Sequence, residues 1–271
     1  TGCFAVLTPR HRLCAGVVRN CMFKFIINIG LLFFTSIQSI GQKVNSDTLL
    51  KTNRDKLKVE SFIIPSIMLS YGLIGLESHT LQNINNGTQY EIKEHIDKRI
   101  SVDDFSQYSP IVAVYSLDFA GIKSKNTIRE KTLVLGTAFL IMGTTVNLIK
   151  LTSSVQRPDG TSKNSFPSGH TATAFMGAEF LHQEYKHKSP WYGIAGYAVA
   201  AGTGYFRMYN DRHWLTDVAA GAGIGMLSTK IAYKLHPFLK RKLFKNKKNW
   251  NGIVMPRIEG DSYGIIVSMM F

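Results

Sequence analysis

Two histidines, several cations and two carboxylates lie in three short segments between residues 150 and 217, and together they hold the residue types needed to move a phosphoryl group. The first segment is Lys150-Leu-Thr-Ser-Ser-Val-Gln-Arg157-Pro158, which sets two cations at the end of an apolar run. Pro158 opposes further helix and keeps Arg157 beside the turn. Taken alone, this is equally a solvated helix C-terminus, where cations are common. The second segment, Ser165-Phe-Pro-Ser168-Gly169-His170-Thr-Ala, reads as a helix start with Ser168 near the cap. Such a start aims backbone N–H groups at an anion, and Gly169 lets the backbone come close. His170 stands in the first turn, where it can give a proton to a leaving oxygen. A capped surface helix with an incidental histidine would use the same residues.

The third segment is Arg207-Met-Tyr-Asn-Asp-Arg-His213-Trp-Leu-Thr-Asp217. The i,i+4 spacing of His213 and Asp217 predicts a shared helix face. A carboxylate that accepts from one imidazole nitrogen fixes the tautomer and leaves the other nitrogen free as a nucleophile. A plain ion pair or a metal pair has the same spacing, but a metal centre needs more histidines and carboxylates than lie nearby. No metal and no cofactor is expected.

The elements that must position these segments are helical. Uncharged runs at 61–76, 105–117, 132–149, 189–206 and 218–229, with a shorter one at 171–178, predict a bundle of about six helices. A hydrophobic content of 45% with 23 glycines and a near-zero mean hydropathy suits an all-α bundle that is membrane-embedded or membrane-associated. The pair Gly221 and Gly225, and the series Gly193, Gly196, Ala200 and Gly204, predict close helix contacts. Residues 77–109 read as a polar excursion, with Asn85-Asn86-Gly87 as a turn and Asp103-Asp104 as a helix start. Near the far end, 253–258 and 264–271 flank a Gly-Asp-Ser-Tyr-Gly turn and predict a small β-hairpin.

Upstream, Lys24 followed by the apolar run 25–34 and the small residues Ser39 and Gly41 predicts a signal peptide over 22–41, cleaved before Gln42. Residues 1–21 read as an upstream or non-native segment, and they hold all three cysteines, Cys3, Cys14 and Cys21. A chain starting at Gln42 therefore needs no disulfide framework. The remaining division is a polar linker over 42–60, a helical domain over 61–236, and a basic segment and tail over 237–271. With Arg10, Arg12, Arg19 and Lys24 removed, the net charge falls from +14 to +10. Much of that charge sits at Lys234, Lys240, Arg241, Lys242, Lys245, Lys247 and Lys248. An exported protein seldom meets nucleic acid, so the expected partner of this patch is an anionic membrane surface; a solvated basic helix end is the alternative.

In combination, Lys-x6-Arg-Pro, Pro-Ser-Gly-His and Arg-x5-His-x3-Asp resemble the type 2 phosphatidic acid phosphatase superfamily, which also holds bacterial acid phosphatases and vanadium haloperoxidases. The resemblance implies that Lys150, Arg157 and Arg207 bind phosphate oxygens, with Ser168 and the Gly169 backbone completing the cradle. It implies that His213 attacks phosphorus, that Asp217 orients it, and that His170 protonates the leaving alkoxide and later activates water. Such chemistry is mostly positioning and charge neutralisation, to which fixed guanidinium groups are well suited. One departure is Phe206, where the family usually has a serine, so one phosphate-binding hydroxyl is missing. The expected substrate is a lipid-linked phosphate, such as phosphatidic acid, phosphatidylglycerophosphate, a polyprenyl diphosphate or lipid A. The runner-up readings are a soluble acid phosphatase and, less favoured, a vanadate-dependent haloperoxidase. The expected location is a bacterial cell envelope, in the inner membrane with the site facing the periplasm. That orientation leaves the basic segment after Tyr233 on the inner side, as the positive-inside tendency prefers.

Overall fold

The computed structural model describes residues 59–94, 101–244, 251–259 and 262–270. The expected signal peptide 22–41, the segment 1–21, nearly all of the linker 42–60, and Lys245, Lys247 and Lys248 lie outside these. After a short 3-10 turn at Val59–Phe62, the described residues form eight α-helices: α1 Ile63–Gly75, α2 His79–Lys93, α3 Val102–Ser106, α4 Ser109–Phe119, α5 Ile128–Ser153, α6 Gly169–Tyr185, α7 Trp191–Tyr209 and α8 Leu215–Phe244. Strands β1 Asn251–Glu259 and β2 Ser262–Met270 form an antiparallel hairpin, with Asn251 opposite Met270 and Glu259 opposite Ser262. The expected helical bundle and its small hairpin are both present.

The count exceeds the expected six helices for two physical reasons. The run 105–117 is broken, because Pro110 opens α4 at its first turn, where a missing N–H costs nothing, and it disfavours helix in the residue before it. The polar stretch around Asn85-Asn86-Gly87 is not a turn but the middle of α2, capped by the Ser78 hydroxyl, which accepts from Leu81 N at 3.4 Å. Local composition disfavours helix there, and tertiary hydrogen bonds override it. Asn85 Nδ2 donates to Thr216 Oγ1 at 2.9 Å, Thr216 N donates back to Asn85 Oδ1 at 3.2 Å, and Gln89 Nε2 donates to Met208 O at 3.1 Å. Helix α2 is thus fastened to the segment that carries His213.

The bundle is organised around α6, in which Thr171–Ala174, Met176–Leu181 and Gln183–Tyr185 are all buried. Its small residues let neighbours approach closely. A Cβ at Gly221 of α8 would collide with Ser168 O, and one at Gly225 with Ala172 O. On the far side of α8, a Cβ at Gly223 would stand 2.6 Å from Pro65 O of α1. Glycine at 221 and 225 is what lets the N-terminal half of α8 lie against α6, and glycine at 223 does the same for α1. Helix α5 packs through Val134, Ala138, Met142 and Val146, an i,i+4 stripe facing Met176, Phe180 and Ile224. It is the one described helix that is by itself long and apolar enough to cross a membrane; α1 and α2 meet that description together but bend by 97°. Its outward Leu140, Leu148 and Leu151 are 71%, 59% and 81% exposed, which leaves an apolar face uncovered.

Charges buried lower in the bundle are paired. Lys230 Nζ lies 2.6 Å from Glu179 Oε1, and Lys131 Nζ lies 2.9 Å from Asp118 Oδ2. Glu184 accepts from Asn126 N at 2.9 Å and Asn126 Nδ2 at 2.7 Å. Glu184 is about 22 Å along α6 from Gly169, taking about 1.5 Å per residue. These pairs therefore brace the end of α6 remote from the three segments.

Gly221→Val tests the close α6–α8 contact. The extra carbons meet backbone rather than a side chain that could swing away, so the variant should lose about 2 kcal/mol or more of stability, read as a lower melting temperature. Gly136→Ala, where a Cβ meets nothing within 4 Å, should be neutral or stabilising.

Candidate active site

The three segments converge where the N-terminal ends of α6 and α8 meet the C-terminal ends of α5 and α7. Helix α5 ends at Ser153 because Ser154 turns left-handed, with φ 44°, so the chain leaves the helix four residues before Pro158. Lys150 occupies its last turn and Arg157 the loop beyond. The loop is tied back onto the third segment at three places. Trp214 Nε1 donates to Gln156 O at 2.8 Å, Asp159 N to Asp211 O at 3.2 Å, and Arg212 Nη1 to Asp159 Oδ2 at 3.2 Å. After α7, Asp211 also takes a left-handed conformation, φ 58°, which aspartate tolerates better than most residues.

His213 and Asp217 do meet, but not on one helix face. His213 precedes α8, which begins at Leu215, and Asp217 lies in the first turn of that helix. Asp217 Oδ2 accepts from Trp214 N at 2.9 Å, folds back toward the approaching chain, and lies 3.5 Å from His213 Nδ1. The Ser165 hydroxyl donates to the same Asp217 oxygen in a short hydrogen bond and is 3.4 Å from His213 Nδ1. The nitrogen that faces the carboxylate is therefore Nδ1, and Nε2 is the ring nitrogen left for chemistry. His213 is 2% exposed, and burial pushes its pKa down to about 4 against the opposing pull of Asp217, with Arg207 and Lys150 adding to the fall. The imidazole is accordingly neutral over the ordinary pH range.

Ser168 caps α6 as expected, accepting from Thr171 N at 3.4 Å, and it is fully buried. Its backbone N donates to Asp217 O at 3.0 Å, so the second segment is fixed to the third through the main chain. Gly169 follows as the first residue of α6. Lys150 Nζ reaches over the loop to donate to Asn164 O at 2.6 Å. His170 Nε2 lies 3.0 Å from Asp104 Oδ1. Arg207 Nη1 donates to the buried Asp103 Oδ2 at 2.5 Å.

Among the described residues, two guanidinium groups retain buried donors with no partner: Arg157 Nε and Arg207 Nε. A buried N–H without a partner costs about 1–3 kcal/mol. Both belong to side chains that the sequence marks as phosphate-binding candidates. Burial, and then the positive charges of Arg207 and Arg212, push the Arg157 pKa below its ordinary value. An anion would relieve both the repulsion and the orphaned donors. Phe206, where a hydroxyl was expected to be lost, instead packs edge-to-face on Tyr205 at 5.9 Å and on Tyr209 at 6.1 Å. Among the described residues no group of three or more His, Cys, Asp or Glu is placed to hold a metal ion.

Three participants were not legible as site residues in the sequence. Ser165 sits inside the second segment without any spacing that assigns it to Asp217. Asp103 and Asp104 read only as a helix start, and they reach the site from a segment 104 and 66 positions away from Arg207 and His170.

Residues 131–241 match the model of the PAP2 superfamily, the family whose motif pattern the sequence resembles. Lipid A 1-phosphatase of Porphyromonas gingivalis is 39% identical over 171 residues, which are 62% of this chain and 37% of that protein. The chain thus spans little more than a third of that relative's length. Among solved structures, Aquifex aeolicus LpxE shares 27% identity, over 56% of this chain and 95% of that one, with a TM-score of 0.42. The first transmembrane PAP2 type phosphatidylglycerolphosphate phosphatase from Bacillus subtilis shares 19% identity over 66% and 98% of the two chains, with a TM-score of 0.45.

An anion filling the cradle should bond to the two orphaned guanidinium donors. Arg157→Lys and Arg207→Lys should each weaken binding of inorganic phosphate or orthovanadate roughly 10- to 100-fold by calorimetry, the effect of losing one charge-assisted hydrogen bond of about 1.5–3 kcal/mol. Arg212→Lys, whose guanidinium is paired with Asp159, should change it little.

Proposed function

We propose that this chain is a metal-independent phosphatase that hydrolyses a lipid-linked phosphate through a phosphohistidine at His213. The observation that carries the reading is the placement of a buried, neutral His213, held at Nδ1, among cationic side chains with two unpartnered donors. In this scheme Arg157 and Arg207 bind the phosphoryl oxygens, Lys150 swings from Asn164 O to join them, and the first N–H groups of α6 at Gly169 face the same oxygens. His213 Nε2 forms the bond to phosphorus as the bond to the leaving oxygen breaks. His170 donates a proton to that oxygen, then takes one from the water that releases phosphate from His213. Asp217, braced by Ser165 and Trp214 N, stabilises the positive charge that develops on the ring.

A lipid substrate is supported by the uncovered apolar face of α5 running up to the site and by the name of the P. gingivalis relative. The expected signal-like stretch and the basic residues Lys234, Lys240, Arg241 and Lys242 support an envelope membrane with the site on its outer side.

The test is hydrolysis by the purified full chain of phosphatidic acid in detergent micelles, compared with a soluble phosphate ester. The lipid should be preferred, and His213→Ala should lower kcat by roughly 10³-fold or more while leaving the melting temperature within a few degrees. Preference for the soluble ester would refute the lipid reading, and an active His213→Ala would refute the mechanism. Because the reactive form is the neutral ring, kcat/KM should stay high as pH falls below 6.5 and decline only near about pH 4.

A further inference from the structure

Helix α3 brings two carboxylates against Arg207 and His170. Asp103 is 2% exposed at its side chain; its Oδ2 accepts from Arg207 Nη1 at 2.5 Å and its Oδ1 accepts from Asn210 Nδ2 at 3.0 Å. Asp104 Oδ1 lies 3.0 Å from His170 Nε2 and 3.7 Å from Arg207 Nη1. The helix is itself pinned to α7, with Ser106 Oγ 2.8 Å from Thr203 Oγ1.

The two contacts differ in kind. A buried guanidinium is tolerable only with a well-formed partner, and Asp103 supplies it along one edge. That contact holds Arg207 at Nη1 and leaves Nε a buried donor without a partner. Asp104 is half exposed and adds little to stability, but it determines which ring nitrogen of His170 is engaged. With Nε2–H held by the carboxylate, Nδ1 is the nitrogen that can carry a proton to a leaving oxygen. This is the same orienting logic that Asp217 applies to His213, used a second time for the acid.

We propose that Asp103 and Asp104 make α3 a positioning element of the reaction, Asp103 aiming Arg207 at the phosphoryl oxygens and Asp104 orienting His170 toward the leaving-group oxygen. The proposal rests on the phosphatase reading. In the first step the bond from His213 Nε2 to phosphorus forms as the bond to the ester oxygen breaks, and the His170 Nδ1 proton passes to that oxygen. His170 is left neutral, its Nε2–H still donated to Asp104. An ester whose leaving oxygen is already a weak base needs that proton less, so the role of Asp104 is legible in leaving-group dependence.

The experiment compares wild type, Asp104→Asn, Asp103→Asn and Asp103→Glu on an alkyl phosphate and on p-nitrophenyl phosphate, and measures the inhibition constant of inorganic phosphate. Asp104→Asn should lower kcat/KM roughly 10- to 100-fold on the alkyl ester and by less than about threefold on the aryl ester, since part of a general-acid contribution is lost. Both Asp103 variants should raise the phosphate inhibition constant roughly tenfold, on either substrate. Asp103→Glu keeps a carboxylate opposite the buried arginine, and so reports on aim even where Asp103→Asn does not fold. Equal losses on both esters in Asp104→Asn, or a gain in activity from unplugging the site, would overturn the role of Asp104. An unchanged phosphate inhibition constant in Asp103→Glu would overturn that of Asp103. Wild type that hydrolyses neither of these esters nor phosphatidic acid in micelles would instead remove the phosphatase reading beneath both.

Discussion

The carboxylate of Asp217 is the joint on which the site is built. From the first turn of α8 it accepts from Trp214 N at 2.9 Å and from the Ser165 hydroxyl, and it stands 3.5 Å from His213 Nδ1. The backbone carbonyl of the same residue accepts from Ser168 N at 3.0 Å. One residue therefore sets the tautomer of His213, the entry of the chain into α8, and the position of the α6 N-terminus. That geometry is available only because Gly221 and Gly225 allow α8 to lie against the α6 backbone. Helix packing and site chemistry are consequences of the same close approach.

Charge balance imposes the second constraint. Lys150, Arg157, Arg207 and Arg212 converge on one end of the bundle, and Asp103, Asp104 and Asp159 answer part of that charge. The balance is uneven by design of position: Arg212 is matched by Asp159, whereas Arg157 and Arg207 each keep a buried donor unmatched. Complete pairing would make a more stable protein and a poor anion site, because each guanidinium would have to leave a partner before touching phosphate. The remote end of α6 has the opposite character, with Lys131 and Lys230 each held by a carboxylate.

The chain's own order explains what could be read before the fold was seen. Lys150, Arg157, Ser168, Gly169, His170, Arg207, His213 and Asp217 sit in short segments whose internal spacing marks them as candidates, and the fold gathers them at one end of the bundle. The nearness of His213 and Asp217 was legible, though its cause was not: their spacing suits a helix face, while a capping turn produces the contact. Asn85, Asn86 and Gly87 have the composition of a turn, and only the bonds between Asn85 and Thr216 and the neighbouring Gln89 contact account for α2 as a helix. Asp103 and Asp104 were invisible for the same reason at longer range, since no local pattern links α3 to residues on α6 and α7.

In the proposed reaction the phosphoryl group passes through His213. Rapid-quench of the purified chain during turnover of a ³²P-labelled lipid phosphate, followed by peptide mapping, tests it most directly. A phosphohistidine route requires label on the peptide containing His213, stable in alkali and lost in acid, appearing before free phosphate and absent from His213→Ala. Turnover at the same rate with label on another residue, or on none, would contradict it.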